Sequence, residues 1–448
     1  MIQKGKVPEI QIGISSGKEI TFTLNSFYSV INGTDSITGK CSAVLSQGRI
    51  VLTNNNYKME LAEPVLIVPA GSQDSSFILN AVTIGVDFHW QRNEDQVFRG
   101  SLKLIIENEM ITAVNVISVE DYLTSVISSE MSATSSGEFL KAHAVISRSW
   151  LLAQIGKGNK IKREGKKFKA FTRTENEIVR WYDREDHQNY DVCADDHCQR
   201  YQGITRASTP AVEKVIRETY GEVLNFEGSI CDTRYYKCCG GMTELFENTW
   251  EPVSHPYLQG VFDNSVPPEG YSTDLSDEET ARKWILGSPA AFCNTSDRKV
   301  LSQVLNDYDQ ETNDFFRWKV NYGQKELSDL VKARTGTDFG LINELVPVER
   351  GASGRITKLK ISGTLKTMII GKELEIRKSL SKSHLYSSCF FVEKPGDADE
   401  TRFILHGAGW GHGVGLCQIG AAMMGARGYS YHEILMHYFR GALFEKLY

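Results

Sequence analysis

The chain has 448 residues, which corresponds to about three domains at roughly 150 residues per domain. Its 50 Lys and Arg residues are outnumbered by 56 Asp and Glu residues, and this net charge of −6 argues against a duplex nucleic-acid binder. The apolar fraction of 41% and the charged fraction of 24% are typical of a globular chain and exclude a disordered one. No window holds about eighteen consecutive apolar residues, so no transmembrane helix is predicted.

Residues 1–90 show the pattern of β-strands. Apolar side chains alternate over Ile10–Ile14 and again over Ile20–Leu24, with a Ser-Ser-Gly turn signal between them, which predicts a hairpin. A second hairpin is predicted over Leu102–Ile117, with its turn at Glu107–Glu109. We therefore expect a β-rich N-terminal region.

Two helices are predicted next, with a short polar loop between them. Apolar residues from Val119 to Ile127 share one helical face, and Ser135 with Glu138 forms a capping-box pattern for a helix over about 136–155. Glu130 lies in the intervening loop. An acid at such a corner can project into a cleft and protonate a leaving oxygen, although an ordinary exposed Glu is the commoner case.

The next segments are basic and then mixed. Residues 157–169 carry seven Lys or Arg against one Glu, which is typical of a solvated loop; contact with an anionic polymer is the alternative. The remaining predicted elements are helices at 277–286, 324–333, 372–380 and from about 418, a strand at 355–361, and a final helix from the capping box Ser430–Glu433.

Nine cysteines are too few for a disulfide scaffold, yet five of them fall between residues 193 and 239. Two of these cysteines lie close to two histidines in the sequence. Together they provide four possible ligands, the number that a closed tetrahedral zinc site needs: His187, Cys193, His197 and Cys198. If one histidine is not a ligand, the other three with water would form an open, potentially catalytic site. A Cys193–Cys198 disulfide or free thiols are the alternatives.

A glycine-rich segment, residues 407–415, has five glycines in nine residues, so its backbone can turn sharply and a ligand can approach it closely. It lacks the Lys-Ser/Thr of a phosphate-binding loop and the spacing of a dinucleotide site. His412 lies between glycines and is predicted to line a cleft; a buried histidine that bonds the glycine backbone is the alternative. Upstream, Cys239 precedes a Gly-Gly turn and is a weak candidate nucleophile, because no basic partner is evident.

Three blocks of sequence, taken in order, resemble the SpoIID/LytB family of sporulation lytic transglycosylases and amidase enhancers. The first block, Val119–Trp150, contains the Ser-Glu-Met motif around Glu130; the others are Cys193–Thr243 and Gly409–Tyr438. Their order and spacing fit from about residue 95 to the C-terminus.

The resemblance implies a peptidoglycan lytic transglycosylase with Glu130 as the catalytic acid/base. It would cleave the bond between N-acetylmuramic acid and N-acetylglucosamine and form a 1,6-anhydro product, so one carboxyl group serves as acid and then as base. The resemblance also implies a structural zinc ion, held by His187, Cys193, His197 and Cys198. The resemblance places His412 and Gln418 in the same cleft as Glu130, and Cys239 is a further predicted substrate contact. Trp410, Tyr235 and Tyr236 are predicted to stack on sugar faces, although packing in the core is the commoner role of aromatic side chains.

Two other functions compete with this one. A non-catalytic glycan-binding enhancer of a cell-wall amidase would release no anhydro-sugar. A zinc hydrolase would lose its activity on chelation, whereas Glu130→Gln would matter less. The chain also departs from the family pattern at Tyr236, where His is frequent, and at Cys239 and Cys417, where Ser is frequent.

The expected fold is α+β and multi-lobed. A β-rich region (1–90) would precede a mixed α/β catalytic region (91–255 with 396–448), and a second mixed lobe (256–395) would leave a cleft between lobes. The expected partners are peptidoglycan glycan strands and a cell-wall amidase, with no nucleic acid. Residues 1–14 contain no apolar signal segment, which suits a cytoplasmic protein or a mature chain preceded by an added Met1; the substrate favours an exported or periplasmic location.

Overall fold

The computed structural model describes residues 5–31, 33, 36–55, 57–71, 74–84, 91–132, 135–165, 168–181, 187–195, 198–205, 209–304, 315–395 and 401–448. Helices and several β-sheets are both present within these residues, which confirms the predicted α+β class. No helix of the described segments is long and apolar enough to cross a membrane.

A large, mostly antiparallel sheet forms the N-terminal part of the fold. Its first ten strands are β1 (Glu9–Gly17), β2 (Glu19–Val30), β3 (Ile37–Ser46), β4 (Arg49–Asn54), β5 (Tyr57–Leu61), β6 (Val65–Pro69), β7 (Ser76–Ile84), β8 (Arg92–Arg99), β9 (Ser101–Glu107) and β10 (Met110–Ser118). They pair in the order β1-β10-β9-β6-β2-β3-β4-β5, and β7 pairs with β2 and β8. Strands on both sides of the predicted domain boundary at residue 90 belong to this sheet, because β7 pairs with β8.

The two predicted hairpins have different outcomes. Strands β9 and β10 pair around Asn108 and Glu109, whose φ angles of 48° and 59° suit a tight turn, so this prediction is confirmed. The first hairpin is wrong, because β1 pairs with β10, whereas β2 pairs with β3, β6 and β7. Alternation of apolar residues indicates the buried face of a strand but not its partner, which a distant segment supplies here.

Two helices follow, α1 (Val119–Glu130) and α2 (Gly137–Glu164). Helix α2 is capped by Ser136 and not, as predicted, by Ser135, whose hydroxyl instead donates to the Gln303 carbonyl at 3.2 Å. It reaches Glu164 rather than about residue 155, so much of the basic run is helical and not a solvated loop. Lys and Arg are good helix formers, which the loop interpretation overlooked.

A buried ion pair fixes α1 against α2. The Nε and Nη2 groups of Arg148 donate to the Glu120 carboxylate at 2.9 and 2.8 Å, and the Tyr448 hydroxyl donates to the same carboxylate at 2.6 Å. A bidentate pair constrains orientation as well as distance. The pair therefore anchors the start of the helix that ends at Glu130.

Shorter elements make up the rest of the chain. They are β11 (Phe171–Arg173), β12 (Glu177–Arg180), β13 (Val192–Cys193), α3 (Pro210–Glu218), β14 (Glu222–Phe226), β15 (Ser229–Ile230), β16 (Tyr235–Tyr236), a 3-10 helix (Phe246–Asn248), α4 (Glu278–Leu286), α5 (Arg298–Val304), β17 (Arg317–Gly323), α6 (Gln324–Thr335), β18 (Ile342–Arg350), β19 (Ile356–Gly363), β20 (Thr367–Gly371), α7 (Glu373–Ser379), β21 (Phe390–Glu393), β22 (Arg402–Ala408), β23 (Leu416–Cys417), α8 (Gln418–Ala426), α9 (Tyr431–Tyr438) and β24 (Leu443–Lys446). The predicted helices correspond to α4 and α6–α9, and the Ser430–Glu433 capping box is formed.

These elements build four smaller sheets around the first. The order β11-β12-β20-β19-β18 forms a five-stranded sheet that shares a separate core with α6 and α7. The other sheets are β17-β22-β21, β15-β14-β24 and β16-β23, and β13 extends the edge of the first sheet beside β1. The parallel β16-β23 pair places Tyr235 opposite Leu416 and Tyr236 opposite Cys417, so the second and third sequence blocks meet in space.

Candidate functional site

Glu130 is the last residue of α1, where the sequence predicts a loop. Its side chain is partly exposed, and its Oε1 accepts a hydrogen bond from the backbone N–H of Arg200 at 3.3 Å. The chain that follows is held by α5, because the N–H of Ser132 donates to the Gln303 carbonyl at 3.1 Å. The carboxyl group thus lies at a fixed helix end, with the Arg200 loop against it.

Three of the four predicted metal ligands lie together. The ligand atoms of His187, Cys193 and Cys198, hereafter the His187 cluster, are all within 4.8 Å of one another, and all three residues are partly exposed. His187 Nε2 is 3.6 Å from Cys198 Sγ, and neither cysteine is in a disulfide. His197 lies outside the described residues. One imidazole and two thiols are donors that suit zinc.

The loop that carries this cluster is the loop that contacts Glu130. Strand β13, which contains Cys193, runs parallel to β1, and the N–H of Ala194 donates to the Gly13 carbonyl at 3.0 Å. Cys198 lies two residues before Arg200, the donor to Glu130. Any ligand that joins Cys193 to Cys198 would therefore restrain the backbone that contacts the carboxyl group.

His412 uses both ring nitrogens on backbone partners. The N–H of Val414 donates to Nδ1 at 3.0 Å, so Nε2 carries the proton and donates to the Tyr235 carbonyl at 3.1 Å. Burial of the ring, followed by the positive charge of Arg234, lowers the pKa of His412 well below its usual value. This geometry is that of the backbone-bonded histidine raised as the alternative; direct substrate contact stays a prediction.

A buried polar chain that the sequence analysis missed centres on His143. Gln418 Nε2 donates to His143 Nε2 at 3.2 Å, and His143 Nδ1 lies 3.2 Å from Ser147 Oγ. Burial, with the nearby charge of Lys237, lowers the pKa of His143 to about 3. Gln418 is 2% exposed, so it holds the ring of His143 from inside the protein. The sequence did contain a sign of this chain, which we overlooked. His143 and Ser147 are four residues apart and therefore lie on the same, buried face of α2.

The predicted aromatic contacts differ in their exposure. Trp410 is partly exposed and stacks on Phe315, with ring centroids 4.9 Å apart; Tyr386 meets its edge at the same distance. Tyr235 is also partly exposed, whereas Tyr236 is 5% exposed. Trp410 and Tyr235 therefore keep some exposed surface, whereas Tyr236 is buried, and a stacking contact with sugar stays a prediction for the first two.

Cys239 belongs to the interior, although the sequence placed it among the substrate contacts. Its Sγ lies 3.3 Å from Cys293 Sγ, and its backbone N–H donates to Cys417 Sγ at 3.2 Å. With Asp263, these residues form a buried set of four metal-type donors, all within 4.8 Å of one another, hereafter the Asp263 cluster. Sequence reasoning missed this cluster because its members are far apart in the chain.

Two family models match consecutive parts of the chain. The model described as a stage II sporulation protein (SpoIID) matches residues 107–226, which include Glu130 and the His187 cluster. A domain of unknown function (DUF8618) matches residues 244–415, which include Asp263 and Cys293. Cys239 and Cys417 lie just outside the two ends of the second match.

Two proteins are similar to this chain over longer stretches. An uncharacterized protein of Brachyspira hyodysenteriae is 26% identical over 345 residues, which cover 77% of this chain and 71% of that protein. The amidase enhancer of Bacillus subtilis is 27% identical over 244 residues, which cover 51% of this chain and 32% of the enhancer. The chain therefore spans about a third of the enhancer's length.

Proposed function

We propose that this chain, which belongs to the SpoIID/LytB family through its residues 107–226, cleaves peptidoglycan glycan strands as a lytic transglycosylase. The family match and the amidase enhancer support a cell-wall-related function. The observation that carries the catalytic proposal is the position of Glu130 at the end of α1, with its carboxyl group against the loop of the His187 cluster. This substrate would require an exported, cell-wall-associated protein.

One carboxyl group would serve in both steps. Neutral Glu130 would donate its proton to the oxygen between N-acetylmuramic acid and N-acetylglucosamine, and the bond from that oxygen to muramoyl C1 would break. The resulting carboxylate would take the proton of the muramoyl C6 hydroxyl, whose oxygen bonds to C1. The proton lost in the first step is regained in the second and no water is consumed, whereas hydrolysis normally needs two carboxyl groups.

The carboxyl group of Glu130 would need a fixed position for both steps. It lies at the C-terminal end of α1, where its Oε1 accepts a hydrogen bond from the Arg200 N–H at 3.3 Å. The Arg148–Glu120 ion pair anchors the other end of α1. Such rigidity matters because a misplacement of about 1 Å can cost about 100-fold in rate.

The His187 cluster would hold a structural zinc ion in this account. Its two thiols and one imidazole, with His197 as the proposed fourth ligand, are donors that zinc prefers. Bound zinc supplies a cross-link here, between Cys193 and Cys198, that would keep Arg200 against Glu130. Glu130 would carry out both proton transfers. In a zinc hydrolase, by contrast, the metal site itself would be catalytic.

The relative named amidase enhancer supports a second candidate function. Under this alternative, the chain would bind glycan and stimulate a cell-wall amidase without cutting the glycan itself. The partly exposed Trp410 and Tyr235 would then provide the recognition surface, with His412 and Gln418 behind them. The two functions differ in whether the purified chain releases sugar products.

The test compares wild type, Glu130→Gln and Glu218→Gln on glycan strands with and without stem peptides. Glu218 is the control, because it is also a glutamate that ends a helix, α3, although its side chain is exposed. Loss of the proton donor should lower the cleavage rate by about 100-fold or more in Glu130→Gln, with Glu218→Gln close to wild type. Equal rates in both variants would overturn the role of Glu130. Glycan binding without cleavage by wild type would favour the enhancer function.

A further inference from the structure

The proposed reaction leaves the Asp263 cluster unused. Asp263 and Cys417 are 0% exposed, and Cys293 and Cys239 are 1% and 2% exposed. A carboxylate buried this deeply is costly unless it is paired or coordinates a metal. The carboxylate of Asp263 accepts from the Tyr438 hydroxyl at 2.6 Å and from the Cys293 N–H at 2.9 Å, and His437 Nε2 lies 4.0 Å from its Oδ1. Three thiols also lie within 4.8 Å of it, and a metal ion bound by all four groups would balance their negative charge.

We propose that the Asp263 cluster is a zinc site with Cys239, Cys293, Cys417 and Asp263 as its four ligands. A tetrahedral site with zinc–sulfur bonds of about 2.3 Å separates its sulfur atoms by about 3.8 Å. The Cys239 and Cys293 Sγ atoms are 3.3 Å apart, and all four ligand atoms lie within 4.8 Å of one another. The distances between the ligand atoms would therefore change by about 1 Å or less when the cation binds.

Backbone donors already point at the prospective ligand atoms. The N–H of Gly241 donates to Cys239 Sγ at 3.3 Å, and the N–H of Cys239 donates to Cys417 Sγ at 3.2 Å. The N–H of Cys293 donates to Asp263 Oδ2 at 2.9 Å. Metal ligands bind as anions, and such hydrogen bonds orient them and stabilise their charge.

Nearby charged and polar groups complement a metal-bound cluster. A divalent cation with three thiolates and one carboxylate has a net charge of −2. The guanidinium groups of Arg317 and Arg355 donate to the carbonyls of Gly240 and Cys239 at 3.0 and 3.4 Å, so two positive charges lie on the same backbone segment. The buried Tyr236 hydroxyl has no hydrogen-bond partner among the described residues and could donate to a thiolate.

The site would connect distant parts of the fold. Cys239 lies just after β16, Asp263 lies before α4, and Cys293 lies between α4 and α5. The fourth ligand, Cys417, is in β23. The cation would thus join both ends of the segment that matches the domain of unknown function to its interior. This inference concerns stability and does not depend on the proposed glycan cleavage.

The experiment measures the number of zinc ions bound per full-length chain. Each protein is first reduced, then loaded with zinc and finally exchanged into zinc-free buffer. Three serine variants are compared with wild type: Cys293→Ser, Cys198→Ser in the His187 cluster, and Cys231→Ser as a control. Cys231 is a buried free thiol that belongs to neither cluster. Cys231→Ser should match the zinc content of wild type, and Cys293→Ser should hold about one zinc equivalent fewer. Cys198→Ser should lose only the zinc of the His187 cluster and keep that of the Asp263 cluster. An unchanged zinc content in Cys293→Ser would overturn the proposal.

If Cys293→Ser does not fold, a second measurement tests the proposed site in a different variant. Co²⁺ is added to reduced Cys198→Ser, which leaves the Asp263 cluster intact. Thiolate-to-cobalt absorption with the visible bands of a tetrahedral ion is expected. Absence of that absorption, or a Cys239–Cys293 disulfide in the freshly isolated chain, would overturn the proposal.

Discussion

The His187 cluster and the Asp263 cluster both collect thiols within 4.8 Å of other metal-type donors, yet they are built differently. The first comes from one short segment, is partly exposed, and lies on the loop that contacts Glu130. The second draws on four segments between residues 239 and 417 and is buried throughout. A local cluster can position one loop, whereas a long-range cluster can stabilise the whole fold. We therefore expect substitutions in the first to affect catalysis and those in the second to affect stability.

The largest expected effect on stability is that of Asp263→Ala. The substitution removes the acceptor of the Tyr438 hydroxyl, at 2.6 Å, and of the Cys293 N–H, at 2.9 Å. Leaving two buried donors unpaired should lower the free energy of unfolding by about 4 kcal/mol, measured by urea denaturation. The exposed Asp329→Ala is the control and should change little. Equal stability of the two variants would contradict the assigned role of the Asp263 cluster.

The next largest effect should fall on catalysis, in Cys198→Ser. Loss of this thiol would loosen the loop that presents the Arg200 N–H to Glu130, so the rate of glycan cleavage should fall by about 10- to 100-fold. Rates are measured on the folded fraction of each variant. Cys293→Ser should cleave at nearly the wild-type rate under the same conditions. If the cleavage rate falls equally in both variants, the two clusters do not differ in function as proposed.

His143 offers an intermediate test, because it links α2 through Gln418 to the neighbour of Cys417. Its pKa is about 3 in the fold, against an ordinary value of 6.5, so only the unfolded chain gains this proton between pH 7 and pH 5. Its contribution to stability is therefore complete above pH 6.5 and is lost as the pH falls towards 3. His143→Gln should remove about 2 kcal/mol of the stability difference between pH 7 and pH 5. Identical pH dependence in both proteins would contradict a buried, neutral His143.

The smallest effect is expected for Tyr236→Phe. The hydroxyl is buried and has no hydrogen-bond partner among the described residues, so its removal should change the free energy of unfolding by less than about 1 kcal/mol in metal-free protein. The zinc-loaded protein should lose more stability than the metal-free protein, because a donor to a thiolate is then lost. The same change in both states would separate Tyr236 from the Asp263 cluster.

Local signals made much of the fold predictable. Helical periodicity identified α1, and the Ser430–Glu433 capping box identified α9. The close spacing of histidines and cysteines identified the His187 cluster. Non-local pairing was not predictable from alternation, so β1 was assigned to β2 when β10 is its partner. The catalytic role of Glu130 stays a prediction. Its place at a helix end was not predicted, because the polar residues before it gave no sign that α1 continues. The Asp263 cluster has no local spacing at all and emerges only when the chain folds.

The central claim, that Glu130 drives a water-independent cleavage, is tested most directly by the product formed in ¹⁸O-labelled water. Purified wild-type chain is incubated with glycan strands free of stem peptides, and the new sugar ends are analysed by mass spectrometry. Wild type should form muramoyl ends that are one water lighter than hydrolysed ends and carry no ¹⁸O, and Glu130→Gln should form none. Hydrolysed ends that carry ¹⁸O would contradict the account.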